Sequence, residues 1–221
     1  MIEISKKSDE LDFRKDIALL LIRPQPILDG RAERIISWVS DYCDRNGLSI
    51  ASKHRLIGTD EHIPVHYGGP GKLEEEGKKV IGAIRMSSPE QKARAGAAGL
   101  TSLPLDELGR RVKQIELDLY SGKEIMVLII IGKDAFSKIR SARGASDPKV
   151  SGPGTIRREF SSGMGIVDIL LDNKPLDNIV HVPLNYDELE TDMRMLLGKT
   201  PDIMLKEMLR DRHHAQRDAP R

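Results

Sequence analysis

The sequence has 221 residues, of which 39% are hydrophobic and 31% charged, and its formal net charge is +1. This composition is typical of a globular domain with a sizeable core; it contains no apolar run long enough to cross a bilayer and gives no overall positive field for nucleic acid. The single cysteine, Cys43, excludes an intrachain disulfide framework and a multi-cysteine metal site, and the N-terminal stretch lacks the apolar core of a secretory signal, so a cytoplasmic protein is expected.

The first part of the chain shows a strand, helix, strand pattern. Residues Ile17 to Ile22 form a nearly continuous apolar run, which is typical of a central strand covered on both faces. A helical pattern with apolar residues on one side follows Gly30 and ends at Gly47, a residue suited to the left-handed turn after a helix. The alternation from Leu48 to Leu56 then predicts a second strand.

Residues 58–103 lack a clear apolar period. They contain GGPG, the charged run EEEGKK and the Ala/Gly-rich KARAGAAGL, which are typical of turns and weak helix rather than of core. We expect residues 68–103 to be an inserted, partly mobile excursion, and its length suits a functional role such as a lid.

Clearer periodicity returns after Pro104. An amphipathic helix is predicted from Pro104 to Gly122, because apolar residues recur there at helical spacing. The run Ile125 to Ile131 is the most apolar in the chain and predicts a buried strand. Asp134 then has the side chain to cap a short helix that extends through Arg143.

The last part of the chain predicts one more strand and terminal helices. Residues Ile179 to Val182 form the strand, and Asn185 with Glu188 has capping-box-like spacing before the next helix. The order of elements predicts an α+β ferredoxin-like sandwich, with a four-stranded antiparallel sheet and helices mainly on one face. We expect a single domain over residues 1–221, with the insertion at 68–103 and a C-terminal helical extension at 199–221.

The stretch from Arg140 to His181 contains residues suited to phosphate chemistry. Guanidinium groups bind phosphate oxygens as planar, charged forks, and a neutral imidazole can attack phosphorus and later leave. In order, the stretch has Arg140, Gly144, Ser146, Pro148, then Pro153-Gly-Thr-Ile-Arg157, and finally Asn178-Ile-Val-His181. It resembles the nucleoside diphosphate kinase family, in which an arginine, Gly-x-Thr-x-Pro, Pro-Gly-Thr-Ile-Arg and Asn-x-x-His follow in this order. The resemblance covers roughly residues 15–197, apart from the expected insertion and the spacer before Asn178, and the C-terminal tail lies outside it. It implies the same ferredoxin-like fold.

The resemblance identifies His181 as the nucleophilic histidine. A lone histidine at the end of an apolar strand is usually a core residue, but two arginines at the family spacing favour a nucleophile here. A histidine nucleophile must be neutral and held in one tautomer by an acceptor. Asp192 aligns with the family's glutamate that does this; because its side chain is shorter, a contact through water is one way for it to reach His181.

The other site residues also follow from the resemblance. Arg140 and Arg157 would clamp the nucleotide phosphates, and Ser146 and Asn178 would contact phosphate and sugar oxygens. Tyr67, in the pair His66-Tyr67, matches a His-Tyr pair near the catalytic histidine. For the arginines the alternative is a solvated surface role.

Some positions depart from the family pattern. Arg23 stands where the family has a lysine that contacts the transferring phosphate, and Val182-Pro183 replaces Gly-Ser after the histidine. Arginine keeps the charge but has a different donor geometry. The family's base-stacking phenylalanine has no counterpart after Tyr67.

Three functions are compatible with these residues. The first is a phosphotransferase that moves the γ-phosphate of a nucleoside triphosphate through phosphohistidine to a nucleoside diphosphate or related acceptor, with Mg²⁺ held mainly by the nucleotide phosphates rather than by protein ligands. The second is a nucleotide-binding regulatory module with weak or no turnover. The third is a histidine phosphotransferase for another phosphorylated small molecule. A homo-oligomer is expected, with no membrane and no specific nucleic acid partner.

Overall fold

The computed structural model describes residues 12–59, 71–145, 148–172 and 179–217. In these residues β1 (Ile17–Ile22), β2 (Leu48–Ile57), β3 (Glu124–Gly132) and β4 (Val180–His181) form one antiparallel sheet in the order β2-β3-β1-β4. β1 pairs with β3 from Ile17 opposite Ile131 to Ile22 opposite Met126. The two apolar runs therefore lie side by side at the centre of the sheet, where both faces are buried. This strand order confirms the predicted ferredoxin-like α+β fold.

The helices in the described ranges are numbered α1 to α10. Their bounds are Pro24–Leu28 (α1), Ala32–Arg45 (α2), Lys72–Met86 (α3), Pro89–Ala97 (α4), Leu105–Tyr120 (α5), Ala135–Arg143 (α6), Ile156–Phe160 (α7), Ile166–Asp172 (α8), Tyr186–Leu197 (α9) and Pro201–Arg217 (α10). Short 3-10 turns lie at Leu100–Ser102 and Pro148–Val150. None of the helices in these ranges is both long enough and apolar enough to span a membrane.

Helices cover both faces of the sheet rather than mainly one. Successive residues of a strand point to opposite faces. The even-numbered residues of β1 pack in a core with α2 and α6, and the odd-numbered residues pack in a second core with α5, α9 and α10. The second layer is needed because β1 and β3 are apolar on both faces and would otherwise expose one of them to water.

Residues 71–102 are helical and packed, which corrects the prediction of weak helix outside the core. α3 and α4 share an apolar cluster with α5 and α8, formed by Val80, Ile84, Ala95, Leu100, Leu108, Val112 and Val167. A side chain at Gly77 of α3 would overlap the carbonyl of Leu105, and one at Gly109 of α5 would overlap that of Leu73. These glycines permit close helix contact, so their presence did not indicate a break in the helix.

The segment between α7 and β4 contacts α4, which with α3 lies in the predicted insertion; α3 and α4 are called the inserted helices below. Asp168 of α8 accepts hydrogen bonds from Gln91 of α4 and, at 2.7 Å, from Lys149 in the turn at Pro148–Val150. Arg94 of α4 lies 2.5 Å from Asp172, also on α8. α8 therefore connects the turn after α6 to the inserted helices.

The predicted helix caps have different outcomes. Asn185 caps α9 as predicted, because its side chain accepts from the Glu188 N–H at 2.9 Å. Asp134 precedes α6 but makes no side-chain cap; it has a positive φ of 58°, and its N–H donates to Asp16 at 2.8 Å. The Asp134 side chain is therefore not the feature that starts α6.

Candidate active site

His181 is the last residue of β4, at the edge of the sheet. It lies opposite Leu21 of β1, so the position of its backbone is set by the central apolar strand. Its side chain is 13% exposed. The ring therefore lies in a nearly closed pocket, with a small part of it accessible from outside.

Asp192 of α9 contacts the imidazole directly. Its Oδ2 lies 2.8 Å from Nε2 of His181, and Asp192 is 5% exposed. No bridging water is needed, because α9 packs against β1 and brings the shorter carboxylate within reach. Since a carboxylate only accepts hydrogen bonds, this contact assigns the ring proton to Nε2 and the lone pair to Nδ1.

The electrostatic environment keeps His181 neutral. Burial, followed by the positive charges of Arg23, Arg157 and Arg143, lowers the pKa of His181 to about 3, although Glu188 acts in the opposite direction. The imidazole is therefore uncharged near neutral pH, which is the form that can act as a nucleophile.

Arg157, in α7, is one of the cations beside His181. It is 2% exposed, and it donates to the Ala145 carbonyl at 2.7 Å and to the Val180 carbonyl at 2.9 Å. Within the described part of the chain its buried Nε has no hydrogen-bond partner. Burial lowers the pKa of Arg157, and Arg143 and Arg23 lower it further, so the pocket has an excess of positive charge that an anion would relieve.

The buried arginine of α6 is Arg143, whereas the sequence pointed to Arg140. Arg140 is exposed, and Arg143, at the C-terminal end of the same helix, is buried and donates to the Val182 carbonyl at 3.0 Å. Burial is the main cause that lowers the pKa of Arg143, and Arg140 is close enough to contribute. Arg143 lies outside the family motif, and the signal that could have found it is its three-residue spacing from Arg140, which places both on neighbouring parts of the helix surface.

Arg23 directly follows β1 and is buried in an ion pair with Glu116 of α5. Its Nη1 lies 2.9 Å from Oε1 of Glu116, and its guanidinium carbon is 5.5 Å from the centre of the Tyr120 ring. Sequence reasoning missed Glu116. The available signal was that Glu116 lies four residues after Val112, on the apolar side of α5, where a carboxylate is rare unless it is paired.

Three residues of the predicted site, Tyr67, Ser146 and Asn178, lie outside the described residues. The described site consists of His181, Asp192, Arg23, Glu116, Arg143 and Arg157. Within the described ranges no group of three His, Cys, Asp or Glu side chains is arranged to hold a metal ion.

Curated proteins with similar sequences are nucleoside diphosphate kinases. The one from Pyrobaculum aerophilum is 25% identical over 178 residues, which is 80% of this chain and 91% of the relative. The chain is therefore similar to nucleoside diphosphate kinases over most of its length. A second such relative, from Ruegeria pomeroyi, is 28% identical over 95 residues, which is 42% of this chain and 62% of that relative.

Solved structures of nucleoside diphosphate kinases share the fold. The Pyrobaculum aerophilum structure matches with a TM-score of 0.62 at 23% identity, covering 81% of this chain and 94% of that chain. A Borrelia burgdorferi structure, a transition-state mimic with bound vanadate and ADP, matches with a TM-score of 0.52 at 18% identity, covering 80% and 83%. No protein-family model matches the chain.

Two of the positions that depart from the pattern described above have a local partner in the structure. Arg23, in place of lysine, is paired with Glu116. Asp192, in place of glutamate, is within direct hydrogen-bond distance of His181.

Proposed function

We propose that this protein transfers the γ-phosphate of a nucleoside triphosphate through a phosphohistidine on His181 to a nucleoside diphosphate or related acceptor. The observation that carries the proposal is the neutral imidazole of His181, 2.8 Å from the buried carboxylate of Asp192 and surrounded by buried guanidinium groups. Similarity to nucleoside diphosphate kinases supports the general class of reaction, which is nucleotide phosphoryl transfer.

In the first half-reaction, Nδ1 of His181 attacks the γ-phosphorus. The N–P bond forms while the bond between phosphorus and the β,γ-bridging oxygen breaks, and the nucleoside diphosphate leaves with that electron pair. Asp192 accepts the hydrogen bond from Nε2 and stabilises the positive charge that develops on the ring. In the second half-reaction a diphosphate oxygen of the acceptor attacks the phosphorus, and neutral His181 is the leaving group.

Arg140, Arg157 and Arg23 are the proposed phosphate-binding residues. Phosphoryl transfer needs mainly positioning and stabilisation of the charge on the transferring group. Arg157 offers a buried Nε donor, and Arg140 is exposed and can meet an incoming polyphosphate. Tyr67, Ser146 and Asn178 belong to the same proposal on the basis of the resemblance.

Mg²⁺ would enter this site bound to the nucleotide. The described pocket is rich in guanidinium groups, and no cluster of three metal ligands occurs in the described ranges, so the residues present suit an ion held by phosphate oxygens and water. When bound, Mg²⁺ would neutralise part of the phosphate charge. The protein is further proposed to be a cytoplasmic homo-oligomer in which each chain forms one domain.

The test is labelling with γ-labelled ATP and Mg²⁺. We expect an acid-labile, base-stable phosphoprotein, which is typical of phosphorus bound to imidazole, and we expect His181→Ala to abolish it. His54→Ala is the matched control, because His54 lies on β2 and contacts Ser52, outside the pocket. Label that persists in His181→Ala, or that is absent from the parent protein, would contradict the phosphohistidine mechanism.

A second candidate is a nucleotide-binding regulatory module with little turnover. The observation that favours it is the buried ion pair of Arg23, because Glu116 already binds the guanidinium that replaces the family's lysine. Calorimetric titration with ADP distinguishes the two: binding by a parent protein that accepts no label supports the module.

A further inference from the structure

Arginine side chains donate hydrogen bonds to the backbone carbonyls on the outward edge of β4. The Arg23 N–H, at the end of β1, donates to the Ile179 carbonyl at 3.0 Å. Because the backbone groups of successive residues point to opposite sides of a strand, the carbonyls of Val180 and Val182 point away from β1. β4 ends the sheet on this side, so these two carbonyls need other donors.

Arg157 donates to the Val180 carbonyl and Arg143 donates to the Val182 carbonyl, at 2.9 and 3.0 Å. The two guanidinium groups therefore hold the residues immediately before and after His181. This support matters because β4 is two residues long and its ladder with β1 ends at His181. Without Arg143, the backbone after His181 would lose its hydrogen bond at the Val182 carbonyl, whereas the backbone before His181 would keep those at Ile179 and Val180.

We propose that Arg143 is a positioning residue for His181, acting through the carbonyl of Val182. The inference rests on the proposed function of His181, and it assigns a role that the family motif does not include. Arg143 also donates through Nε to the Gly144 carbonyl at 3.2 Å, whereas the Nε of Arg157 has no hydrogen-bond partner within the described residues. The task of Arg143 is to keep Nδ1 aligned with the phosphorus while Asp192 fixes the ring.

The test compares single-turnover phosphorylation of the full chain in the parent, Arg143→Met and Arg143→Lys forms. Arg143→Met removes both donors, and we expect it to lower the rate constant at saturating ATP by about 100-fold, the typical effect of a displacement of roughly 1 Å. The half-saturating ATP concentration should stay within about twofold, because substrate contacts remain. Arg143→Lys keeps a charged donor and should recover part of the rate.

Lys138→Met is the matched control. Lys138 is on the same helix and also donates to a backbone carbonyl, that of Asn46 at 2.9 Å, but on a different part of the fold. We expect its rate constant to equal that of the parent. A normal rate constant in Arg143→Met, or an increase confined to its half-saturating concentration, would overturn the positioning role; the latter would make Arg143 a substrate ligand.

A second readout does not depend on kinase activity. Two-bond ¹H–¹⁵N spectra of histidine-labelled protein at pH 7 report the tautomer of His181, identified by the signal lost in His181→Gln. We expect Nε2–H alone in the parent and a mixture in Arg143→Met. If the parent protein accepts no phosphate, the proposed function is wrong. An unchanged tautomer in Arg143→Met would overturn the positioning role of Arg143, whether or not the parent protein is active. Thermal denaturation checks folding, and Arg143→Lys is the deciding variant if Arg143→Met does not fold.

Discussion

The pocket around His181 and the inserted helices are held together in opposite ways. Most of the buried charged residues in the described ranges surround His181, namely Arg23, Glu116, Arg143, Arg157 and Asp192. The cluster between α3, α4, α5 and α8 is apolar and has glycine at the helix crossing. Buried charges are costly unless they are paired, so their concentration around His181 makes this pocket the candidate site for chemistry.

The largest expected effect comes from breaking the buried ion pair. Glu116→Ala leaves the guanidinium of Arg23 buried without its carboxylate, and the free energy of unfolding should fall by about 3–5 kcal/mol in urea denaturation. Glu107→Ala, on the exposed side of the same helix, should cost less than about 1 kcal/mol. Equal costs would mean that the pair is no more important than a surface contact.

The next largest effect is expected on the rate of phosphoryl transfer, with a smaller loss in the free energy of unfolding. Asp192→Asn places an amide against Nε2, which removes the charge that stabilises the phosphorylated ring, and single-turnover labelling should slow by about 100-fold. Asp187→Asn is the control, because Asp187 is exposed on the same helix. If Asp192→Asn labels as fast as this control, Asp192 does not act on His181.

The stability of the apolar cluster around α3 should depend on side-chain volume rather than on charge. Gly77→Ala puts a methyl group against the Leu105 carbonyl and should lower the free energy of unfolding by about 1–3 kcal/mol. Gly82→Ala lies on the same helix with no atom within 4 Å of the added methyl, and it should stabilise by up to about 1 kcal/mol through helix propensity. A stabilising Gly77→Ala would show that α3 and α5 do not touch in this way.

The smallest expected effect is a pH dependence that only the pocket should show. An unfolded histidine titrates near pH 6.5, whereas the pKa of His181 in the folded chain is about 3. Between these values the unfolded chain binds a proton that the folded chain does not, so stability falls as the pH falls. From pH 7 to pH 5 this contribution should reach up to about 2 kcal/mol, and His181→Gln should lack it. Urea denaturation of both forms at the two pH values measures it, and identical losses would place the pKa of His181 near its ordinary value.

The sequence predicted those elements of the fold whose apolar pattern matches the burial of their residues in the structure. The apolar run Ile17 to Ile22 became β1 with the same bounds, and the Asn185 cap begins α9 as predicted. The inserted helices were missed because Gly77 interrupts the buried side of α3, and its packing role becomes visible only with α5 beside it.

The site was predictable only where local spacing carries the information. The family motif placed His181 and Asp192, and the structure puts them in contact. Glu116 comes from another helix, so its partner Arg23 could not be inferred from spacing. The family motif includes Arg140 but not Arg143, and the burial of Arg143 depends on which side of α6 faces β4, which the spacing does not give.

The contacts of α8 with α4 connect the segment before β4 to the region predicted as an insertion. Val167 shares the apolar cluster of the insertion, and Asp172 pairs with Arg94. Removing either segment would uncover apolar surface on the other. In a chimera with a nucleoside diphosphate kinase, the two segments should therefore be exchanged together.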